Sequence, residues 1–286
     1  MSRIVYVNGN FLPEEQASVS IFDRGYVFGD GVYEVATVLD GKLVDSLRHK
    51  WRLENSLQQI GIPMPLSWTQ IEEMERELVR LNNIDQGLVY FQVTRGQADR
   101  HFHYEGLNLT PTLTAFTQEM EVDPDPRAET GVSVASCPDI RWHRRDIKSI
   151  ALLGQVIAKQ TAKEAGAYEA VMLEDGYVTE GASSSIFMIN ERSQLLVRPG
   201  GGTDILPGLT RLAMLELAEK NQIEIVERRF SLEELIDSKE AFLTSATTFI
   251  MPITTVDGVH IRDGKPGPIT LKLRRLLISK ARDNLN

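Results

Sequence analysis

One lysine of the chain could do chemistry if its neighbours allowed it. Lys148 lies in the stretch DIKSIALLGQVIAKQ, residues 146–160, just ahead of an apolar run with a helical period. Most lysines are solvated surface groups, and three arginines precede this one at positions 141, 144 and 145. A lysine whose charge is suppressed is instead an amine nucleophile that can form a Schiff base. Lys148 is therefore a candidate nucleophile, provided that the fold brings partners to it.

Several other segments carry groups that would suit such a lysine. Glu180 ends the run DGYVTEG, and Arg52 lies among apolar neighbours in the first helical stretch. The turn ILPGLTR, residues 205–211, opens a helix, and TSATT, residues 244–248, is a second turn of small residues. The start of a helix offers unpaired N–H groups and a positive dipole end, which suit a phosphate. A lysine, a carboxylate for a pyridinium nitrogen and two phosphate turns are the groups that pyridoxal phosphate requires.

Composition limits the classes of protein to consider. The chain has 286 residues, 42% hydrophobic and 25% charged, which is typical of a soluble globular protein. The formal net charge of −9 argues against a nucleic-acid partner, although the basic run RWHRRDIK could hold one small anion. No apolar run approaches the roughly 20 residues that span a bilayer, so no membrane association is expected.

Cysteine and histidine usage predicts the compartment and argues against a metal site. Cys137 is the single cysteine, which rules out an intrachain disulfide and favours a reducing cytoplasm; it is interpreted as a small buried apolar residue. The N-terminus lacks the apolar core of a secretory signal. His101 and His103 are the closest histidine pair, and no cysteine or acidic cluster flanks them, so a metal site is not expected.

The pattern of elements predicts two mixed domains. The first forty-five residues resemble strands joined by tight turns at Asn8-Gly9 and Asp40-Gly41. Helical periods follow, first through Leu47, Trp51, Leu57 and Ile60 and then from Ser67, where Gln70 completes a possible capping box. Further helices are predicted at 150–165, 209–220, 231–236 and 268–283, with strands between them. The segment EVDPDPRAE, residues 121–129, has the composition of a linker. We therefore predict an α+β protein with a small N-terminal α/β domain (1–120), this linker and a larger C-terminal mixed domain (130–286) that binds the cofactor.

Taken in order, these segments resemble the class IV, fold-type IV pyridoxal phosphate aminotransferases. The resemblance rests on SIFDRGYVFGDGVYEV, HKWRLENS, DIKSIALLGQVIAKQ, YEAVMLEDGYVTEGASSSIF, ILPGLTR and FLTSATTFIMPI, and it runs from about Tyr6 to the C-terminal helix. Within this family, the chain most resembles the bacterial D-amino acid (D-alanine) aminotransferases. The resemblance implies transamination between D-amino acids and 2-oxo acids, and a cytoplasmic homodimer.

The resemblance also implies a role for particular residues. Lys148 would form the Schiff base and move the proton at the substrate Cα, and Glu180 would pair with the pyridine nitrogen. Arg52 would bind the phosphate together with Leu209 and Thr210, and Leu206 would pack against the ring. Tyr33 and Val35 would line the substrate pocket.

Two positions depart from the family pattern. Ala246 stands where the family has a phosphate-binding threonine, so Ser245, Thr247 or the amides of the turn would replace it. Arg100 stands where D-alanine aminotransferases carry an arginine that traps the substrate α-carboxylate. The histidine two positions on is Phe102 here, and His101 and His103 flank it as candidate substrate ligands.

Three relatives on the same fold stay open as alternatives. Branched-chain L-aminotransferases usually have a tyrosine five residues after the lysine, where this chain has Leu153. Aminodeoxychorismate lyases typically lack the triple serine of EGASSSIF. (R)-selective amine transaminases lack the arginine that traps a carboxylate, and the altered DRHFHY segment keeps them possible. The enantiomer preference depends on where the carboxylate is held, which the sequence alone does not give.

Overall fold

A computed structural model of the chain describes residues 2–283, and these fall into two compact units. One unit comprises the described residues up to Asp123 together with Ile147–Ala151; the other comprises Pro124–Asp146 and Leu152–Asp283. Each unit contains helices and a sheet, so the predicted α+β class is confirmed. The segment with Lys148 belongs to the first unit although it lies beyond residue 130. The domain bounds drawn from the sequence remain a proposal.

The first unit is built on a six-stranded sheet with the order β2-β1-β6-β5-β3-β4. Its elements are β1 (Ile4–Val7), β2 (Asn10–Pro13), α1 (Arg24–Phe28), β3 (Gly31–Leu39), β4 (Lys42–Leu43), α2 (Ser46–Ile60), α3 (Trp68–Leu81), β5 (Gly87–Thr94) and β6 (Thr112–Glu119), with a short 3-10 turn at Glu14–Gln16. Both predicted hairpins are present. Asn8 and Gly9 have φ of 45° and 95°, and Asp40 and Gly41 have 52° and 71°. Both turns thus use the left-handed backbone that asparagine, aspartate and glycine tolerate.

The expectation of strands alone before residue 45 was wrong at one place. Arg24–Phe28 forms α1, which begins at an N-cap where Asp23 Oδ1 accepts a hydrogen bond from Gly25 N at 2.8 Å. The helix ends at Gly29, whose φ of 68° is left-handed. The helix is too short to show an apolar period, which is why the sequence pattern did not reveal it.

Helix α2 confirms the predicted apolar period only in part, because Leu57 is buried but the rest of the buried face is different. Leu47 and Trp51 are exposed, whereas the buried residues are His49, Arg52, Leu53, Ser56 and Leu57. Those positions follow a helical period as well, but three of them are polar. Helix α3 follows its prediction more closely, because the Ser67–Gln70 capping box is formed and Ile71, Met74 and Leu78 are buried. A set of polar side chains is therefore built into the interior of the first unit.

The second unit is built on a nine-stranded sheet with the order β12-β11-β10-β13-β14-β7-β8-β9, in which β15 pairs with β14. Its elements are α4 (Arg127–Thr130), β7 (Val132–Pro138), α5 (Leu153–Glu164), β8 (Glu169–Glu174), β9 (Tyr177–Gly181), β10 (Ser185–Ile189), β11 (Leu195–Val197), α6 (Leu209–Lys220), β12 (Ile225–Glu227), α7 (Leu232–Ile236), β13 (Glu240–Ser245), β14 (Phe249–Val256), β15 (Val259–His260) and α8 (Pro268–Asp283). The helices predicted at 209–220 and 268–283 match α6 and α8. Within residues 2–283, no helix is both long and apolar enough to cross a bilayer.

The helix predicted at 150–165 begins later, at Leu153. The preceding residues are held by β3 instead, because Tyr33 N donates to Lys148 O at 3.0 Å and Ile150 N donates to Gly31 O at 3.1 Å. Their backbone groups are therefore not available for a helical turn. Cys137 on β7 is buried in an apolar cluster, as predicted, and burial raises the pKa of its thiol.

Candidate active site

The lysine of the first unit is fixed by its main chain. Lys148 N donates to Ser56 Oγ on α2 at 3.2 Å, its carbonyl accepts from Tyr33 N, and Val32 and Ser149 form an isolated β-bridge. The ammonium Nζ lies 4.1 Å from the centroid of the Tyr33 ring. A cation this close to an aromatic face is attracted to it, which restricts the rotamers of a flexible side chain. The structure thus brings together Lys148 and Tyr33, two of the residues expected at the site.

Arg52 lies in a buried ionic cluster with Glu34 and His49. Its Nε donates to Glu34 Oε1 at 2.8 Å and its Nη2 to Oε2 at 2.7 Å, while His49 Nδ1 lies 2.7 Å from Oε2. Burial alone would raise the pKa of Glu34, but the charge and hydrogen bonds of Arg52, together with His49, hold it well below its ordinary value. The guanidinium expected to bind a phosphate is therefore fixed by a two-point contact with a carboxylate.

Glu34 was missed in the sequence although a signal for it exists. Side chains alternate across a strand, so Tyr33 and Val35 lie on one face of β3 and Glu34 on the other.

The face of β3 that carries Tyr33 and Val35 is aromatic. The Tyr33 ring stacks on Tyr90 of β5 with ring centroids 5.4 Å apart, and Val35 is the register partner of Tyr90. Burial raises the pKa of Tyr90 well above its usual range, so this phenol stays neutral. Tyr33 and Val35 thus lie on an aromatic face, which fits their expected place in a substrate pocket.

The loop that follows β5, residues 97–104, carries the candidate substrate ligands. The guanidinium carbon of Arg100 lies 5.5 Å from the ring centroids of both Phe28 and Phe102. Those two rings contact each other with centroids 5.3 Å apart. His101 and His103 are exposed. Phe102 therefore contacts Arg100 through its ring rather than adding a second polar group beside it.

In the second unit, Glu180 of β9 is buried and held by an arginine. Its Oε2 accepts from Arg141 Nη1 at 2.8 Å and from Leu206 N at 3.1 Å. Arg141 is held in turn by Asp139, through Nε–Oδ1 and Nη2–Oδ2 contacts of 3.0 and 2.8 Å. Burial raises the pKa of Glu180, and Arg141 offsets only part of that effect. The structure brings Glu180 together with Leu206, a second residue named as a candidate in the sequence, and adds Arg141, one of the basic residues of RWHRRDIK.

The other oxygen of Glu180 is available. Among the described residues, no hydrogen-bond donor contacts Oε1. Unlike Oε1 of Glu75, this oxygen is not sealed in the interior, so a ligand can reach it and complete its hydrogen bonding. The carboxylate can thus accept a further hydrogen bond from a cationic N–H group.

Two turns of the second unit can bind an anion. Helix α6 begins at Leu209 after Gly208, and no side chain of the described residues caps it, so the first amides, including that of Thr210, are available. A Cβ at Gly208 would lie 3.0 Å from Ser185 Oγ, so this turn approaches its neighbour closely. The uncapped start of α6 suits an anion for two reasons: its first N–H groups are available as donors, and the helix dipole is positive at this end.

The second turn, Ser245–Phe249, is more constrained. Ser245 Oγ accepts from Thr248 N at 3.2 Å and shares a hydrogen bond of 2.7 Å with Thr248 Oγ1. Phe249 has a φ of 55°, a left-handed conformation that is strained for an aromatic residue. Arg274 of α8 donates to the carbonyls of Thr248 and Ile250 at 2.7 and 2.6 Å. The hydroxyl of Ser245 therefore shapes the turn, and that of Thr247 forms no hydrogen bond with the described residues.

Comparison with known protein families shows the family to which the chain belongs. The model of the family described as amino-transferase class IV matches residues 31–256. The chain belongs to the class IV aminotransferase family. This aminotransferase is 40% identical to the D-alanine aminotransferase of Bacillus licheniformis over 273 residues, 96% of the chain and 95% of the relative. It is 39% identical to the D-alanine aminotransferase of Staphylococcus epidermidis, with 95% of each chain covered.

Solved structures show the same fold at lower identity. A branched-chain amino acid aminotransferase from Escherichia coli superimposes with a TM-score of 0.85 at 21% identity, covering 98% of this aminotransferase and 95% of that chain. A PLP-bound hypothetical aminotransferase from Mycobacterium tuberculosis superimposes with a TM-score of 0.84 at 22% identity, covering 98% and 99%. These likenesses confirm the fold and carry no argument about the substrate.

Proposed function

We propose that this class IV aminotransferase transfers amino groups from D-amino acids, such as D-alanine or D-glutamate, to 2-oxo acids with pyridoxal phosphate as cofactor. The donor leaves as its 2-oxo acid, and the acceptor leaves as an amino acid. Relatives that are 36–40% identical over about 95% of the chain are D-alanine aminotransferases, which supports this choice of substrate.

The single observation that best supports pyridoxal phosphate as the cofactor is the environment of the Glu180 carboxylate. This carboxylate is buried beside one cation, and its second oxygen has no donor among the described residues. Glu180 Oε1 would accept a hydrogen bond from the protonated pyridine nitrogen of the cofactor, and the carboxylate would stabilise that positive charge. The uncapped start of α6 suits the phosphate, with Thr247 in place of the usual threonine at position 246. The residues present thus fit pyridoxal phosphate, which when bound acts as an electron sink for the bonds at the substrate Cα.

The roles of the protein's own groups follow from their surroundings. Lys148 supplies the amine, and its Nζ would take the proton from the substrate Cα and deliver it to the C4′ carbon of the cofactor, so that the amino group stays behind when the 2-oxo acid leaves. Its main-chain bonds to Tyr33 and its contact with that ring hold the amine in a narrow range of positions. Arg52, fixed by Glu34, presents its positive charge to the phosphate. Arg100 binds the α-carboxylate of the substrate.

We also propose that the protein is a homodimer. Large apolar side chains are exposed on each unit. In the first unit, Tyr26, Leu47 and Phe102 are 75–78% exposed, and in the second Leu153 is 72% exposed. An apolar patch that a partner covers is typical of a subunit interface, and these side chains are the candidates for it. Light scattering at micromolar concentration should give twice the mass of the 286-residue chain, and a monomer alone would contradict the proposal.

The experiment that tests the activity is a half-reaction screen. Protein loaded with pyridoxal phosphate should absorb visible light, and Lys148→Ala should lose the adduct that borohydride traps. Separate additions of D-alanine, D-glutamate, L-leucine and (R)-1-phenylethylamine are then followed by loss of the visible band. Bleaching by the D-amino acids supports the proposal, and bleaching by L-leucine alone overturns it. Release of pyruvate from aminodeoxychorismate would assign the lyase activity instead.

A further inference from the structure

We propose that Arg24 of α1 positions the 97–104 loop, and that the acceptance of a carboxylated amino donor depends on it. This inference rests on the proposed function, because it concerns the loop that carries Arg100. Arg24 contacts neither Lys148 nor Tyr33, so its role is to position another residue rather than to act on the substrate.

The Arg24 side chain is buried, and its donors point in separate directions. It is 4% exposed, and its Nε donates to Asp30 Oδ2 at 2.8 Å. Its Nη1 donates to the carbonyl of His101 at 2.6 Å and its Nη2 to that of Phe102 at 3.3 Å. These carbonyls belong to the two residues directly after Arg100. A rigid planar fork that binds both of them fixes the two peptide planes that follow His101, and it thereby restrains the backbone directly after Arg100.

The carboxylate that holds Arg24 is itself held by a second arginine. Asp30 accepts from Arg95 Nε at 2.8 Å and from Arg95 Nη2 at 3.0 Å, and Arg95 also donates to the carbonyls of Ile60 and Gly61. Burial would raise the pKa of Asp30, but the hydrogen bonds and charges of Arg95 and Arg24 lower it. Asp30 thus stays ionised between two cations and fixes the orientation of both.

The same cluster holds the loop at its far end. The guanidinium carbon of Arg95 lies 3.7 Å from the centroid of the Tyr104 ring, and that of Arg24 lies 5.9 Å from it. An arginine plane stacked on an aromatic ring at this distance is a favourable contact. Tyr104 is 46% exposed, so few other contacts would hold it in place.

The near end of the loop is held by the main chain of α1 and its flanking residues. Arg24 N donates to Gly96 O at 2.9 Å, and Ala98 N donates to Phe22 O at 3.2 Å. Thr94 Oγ1 donates to Asp23 Oδ2 at 3.0 Å, so the N-cap of α1 also binds the end of β5. Arg24 therefore binds the loop with its main chain before Arg100 and with its side chain after it.

Pre-organisation matters here because Arg100 has little other support. Its guanidinium contacts two rings, those of Phe28 and Phe102, and both contacts are 5.5 Å long. Phe102 occupies the position where the D-alanine aminotransferase pattern has a histidine, so this chain lacks that polar group beside Arg100. A misplacement of about 1 Å at a distant support can cost about 100-fold. Because Arg100 would hold the carboxylate and not the reacting atoms, we expect this loss in substrate binding. The loop backbone that Arg24 holds thus carries much of the precision in carboxylate binding.

The test uses the cofactor-loaded enzyme with Arg24→Lys, which keeps the charge but cannot bind the two carbonyls and Asp30 together. The apparent Kd for D-alanine in the half-reaction should rise about 10- to 100-fold, while the limiting rate and the visible band change little. Amides of residues 97–104 should exchange with deuterium faster than in the wild type. Arg80→Lys is the matched control, because Arg80 is an exposed arginine paired with Glu77, and it should change neither measurement.

Each other outcome decides the proposal. An unchanged Kd together with unchanged exchange of the loop amides overturns it, and so does a slower limiting rate at constant Kd, which would place Arg24 in the chemistry. If Arg24→Lys does not fold, Asp30→Asn takes its place, since it removes the charge that orients both arginines. If D-amino acids fail to bleach the wild type, the proposed function is wrong, and the exchange of the loop amides still decides the positioning role.

Discussion

Arg52 on α2 and Glu34 on β3 form a buried two-point ion pair, with Nε–Oε1 and Nη2–Oε2 distances of 2.8 and 2.7 Å. Glu34 is fully buried, and its carboxylate accepts from His49 as well. The pair fixes the plane of a guanidinium that we expect to meet a phosphate. It also removes two charges from water, so breaking it from one side leaves the other charge buried and without compensation.

Glu34→Gln should destabilise the protein by about 3–5 kcal/mol at pH 7. The pKa of Glu34 is lowered in the folded protein, so its stabilisation is fully present above the ordinary value of 4.5 and declines as the pH falls from there towards the lowered pKa of the folded state. The difference between the variant and the wild type should therefore shrink in acid. Urea unfolding at pH 7 and pH 4 measures this. Glu77→Gln, at an exposed ion pair, is the control and should change nothing measurable; an equal loss in both variants would contradict the argument.

The apolar period of α2 shows where sequence patterns stop being informative. A hydrophobic period selects Leu47 and Trp51, yet the buried stripe contains His49, Arg52 and Ser56. Polar side chains can occupy a buried stripe only when specific partners satisfy them, and the partner of Arg52 lies on β3, 18 residues earlier. Such a pairing depends on which strand faces which helix, and that information is tertiary.

Local signals, in contrast, predicted local structure well. The turns at Asn8-Gly9 and Asp40-Gly41, the capping box at Ser67 and the bounds of α6 all depend on neighbouring residues and are present. The resemblance to the aminotransferases singled out Lys148 and Glu180. It did not reveal Arg141, because a run of basic residues does not indicate which member turns toward a buried carboxylate.

Arg141→Met should weaken binding of pyridoxal phosphate by about tenfold or more, which corresponds to about 1.4 kcal/mol. Burial already raises the pKa of Glu180, and without Arg141 the carboxyl group would keep its proton over a wider pH range. A protonated carboxyl no longer attracts a protonated pyridine nitrogen. Titration of the apoprotein with cofactor, followed by tryptophan fluorescence, gives the Kd. Arg144→Met, which removes a more exposed arginine paired with Asp146, should leave the Kd unchanged.

Ser245→Ala and Thr247→Ala should have opposite signatures. The hydroxyl of Ser245 bonds Thr248 within its turn, so its loss should lower the unfolding free energy by about 1 kcal/mol. Thr247 lacks such a bond among the described residues, so its loss should leave stability unchanged and weaken binding of the phosphorylated cofactor several-fold. Thermal melting and cofactor titration separate the two effects. Weaker binding in Ser245→Ala alone would mean that Ser245 replaces the missing threonine.

Glu75→Gln should stabilise the protein increasingly as the pH rises. Glu75 on α3 is 1% exposed, and its Oε1 has no hydrogen-bond partner within residues 2–283. Burial, followed by the charges of Glu34 and Glu72, raises its pKa well above the ordinary 4.5, and Arg76 offsets little of this.

The direction of the pH effect follows from the raised pKa. The folded protein keeps the proton on Glu75 while the unfolded chain releases it, so the wild type loses stability as the pH rises above 4.5. Glutamine cannot ionise and escapes this loss, so the variant should be about 1–3 kcal/mol more stable at pH 8 and closest to the wild type below pH 4.5. Urea unfolding across this range, with the exposed Glu73→Gln as control, checks the slope. A constant difference between the variant and the wild type at every pH would show that Glu75 is ionised in the folded protein, held by a partner that the burial argument does not include.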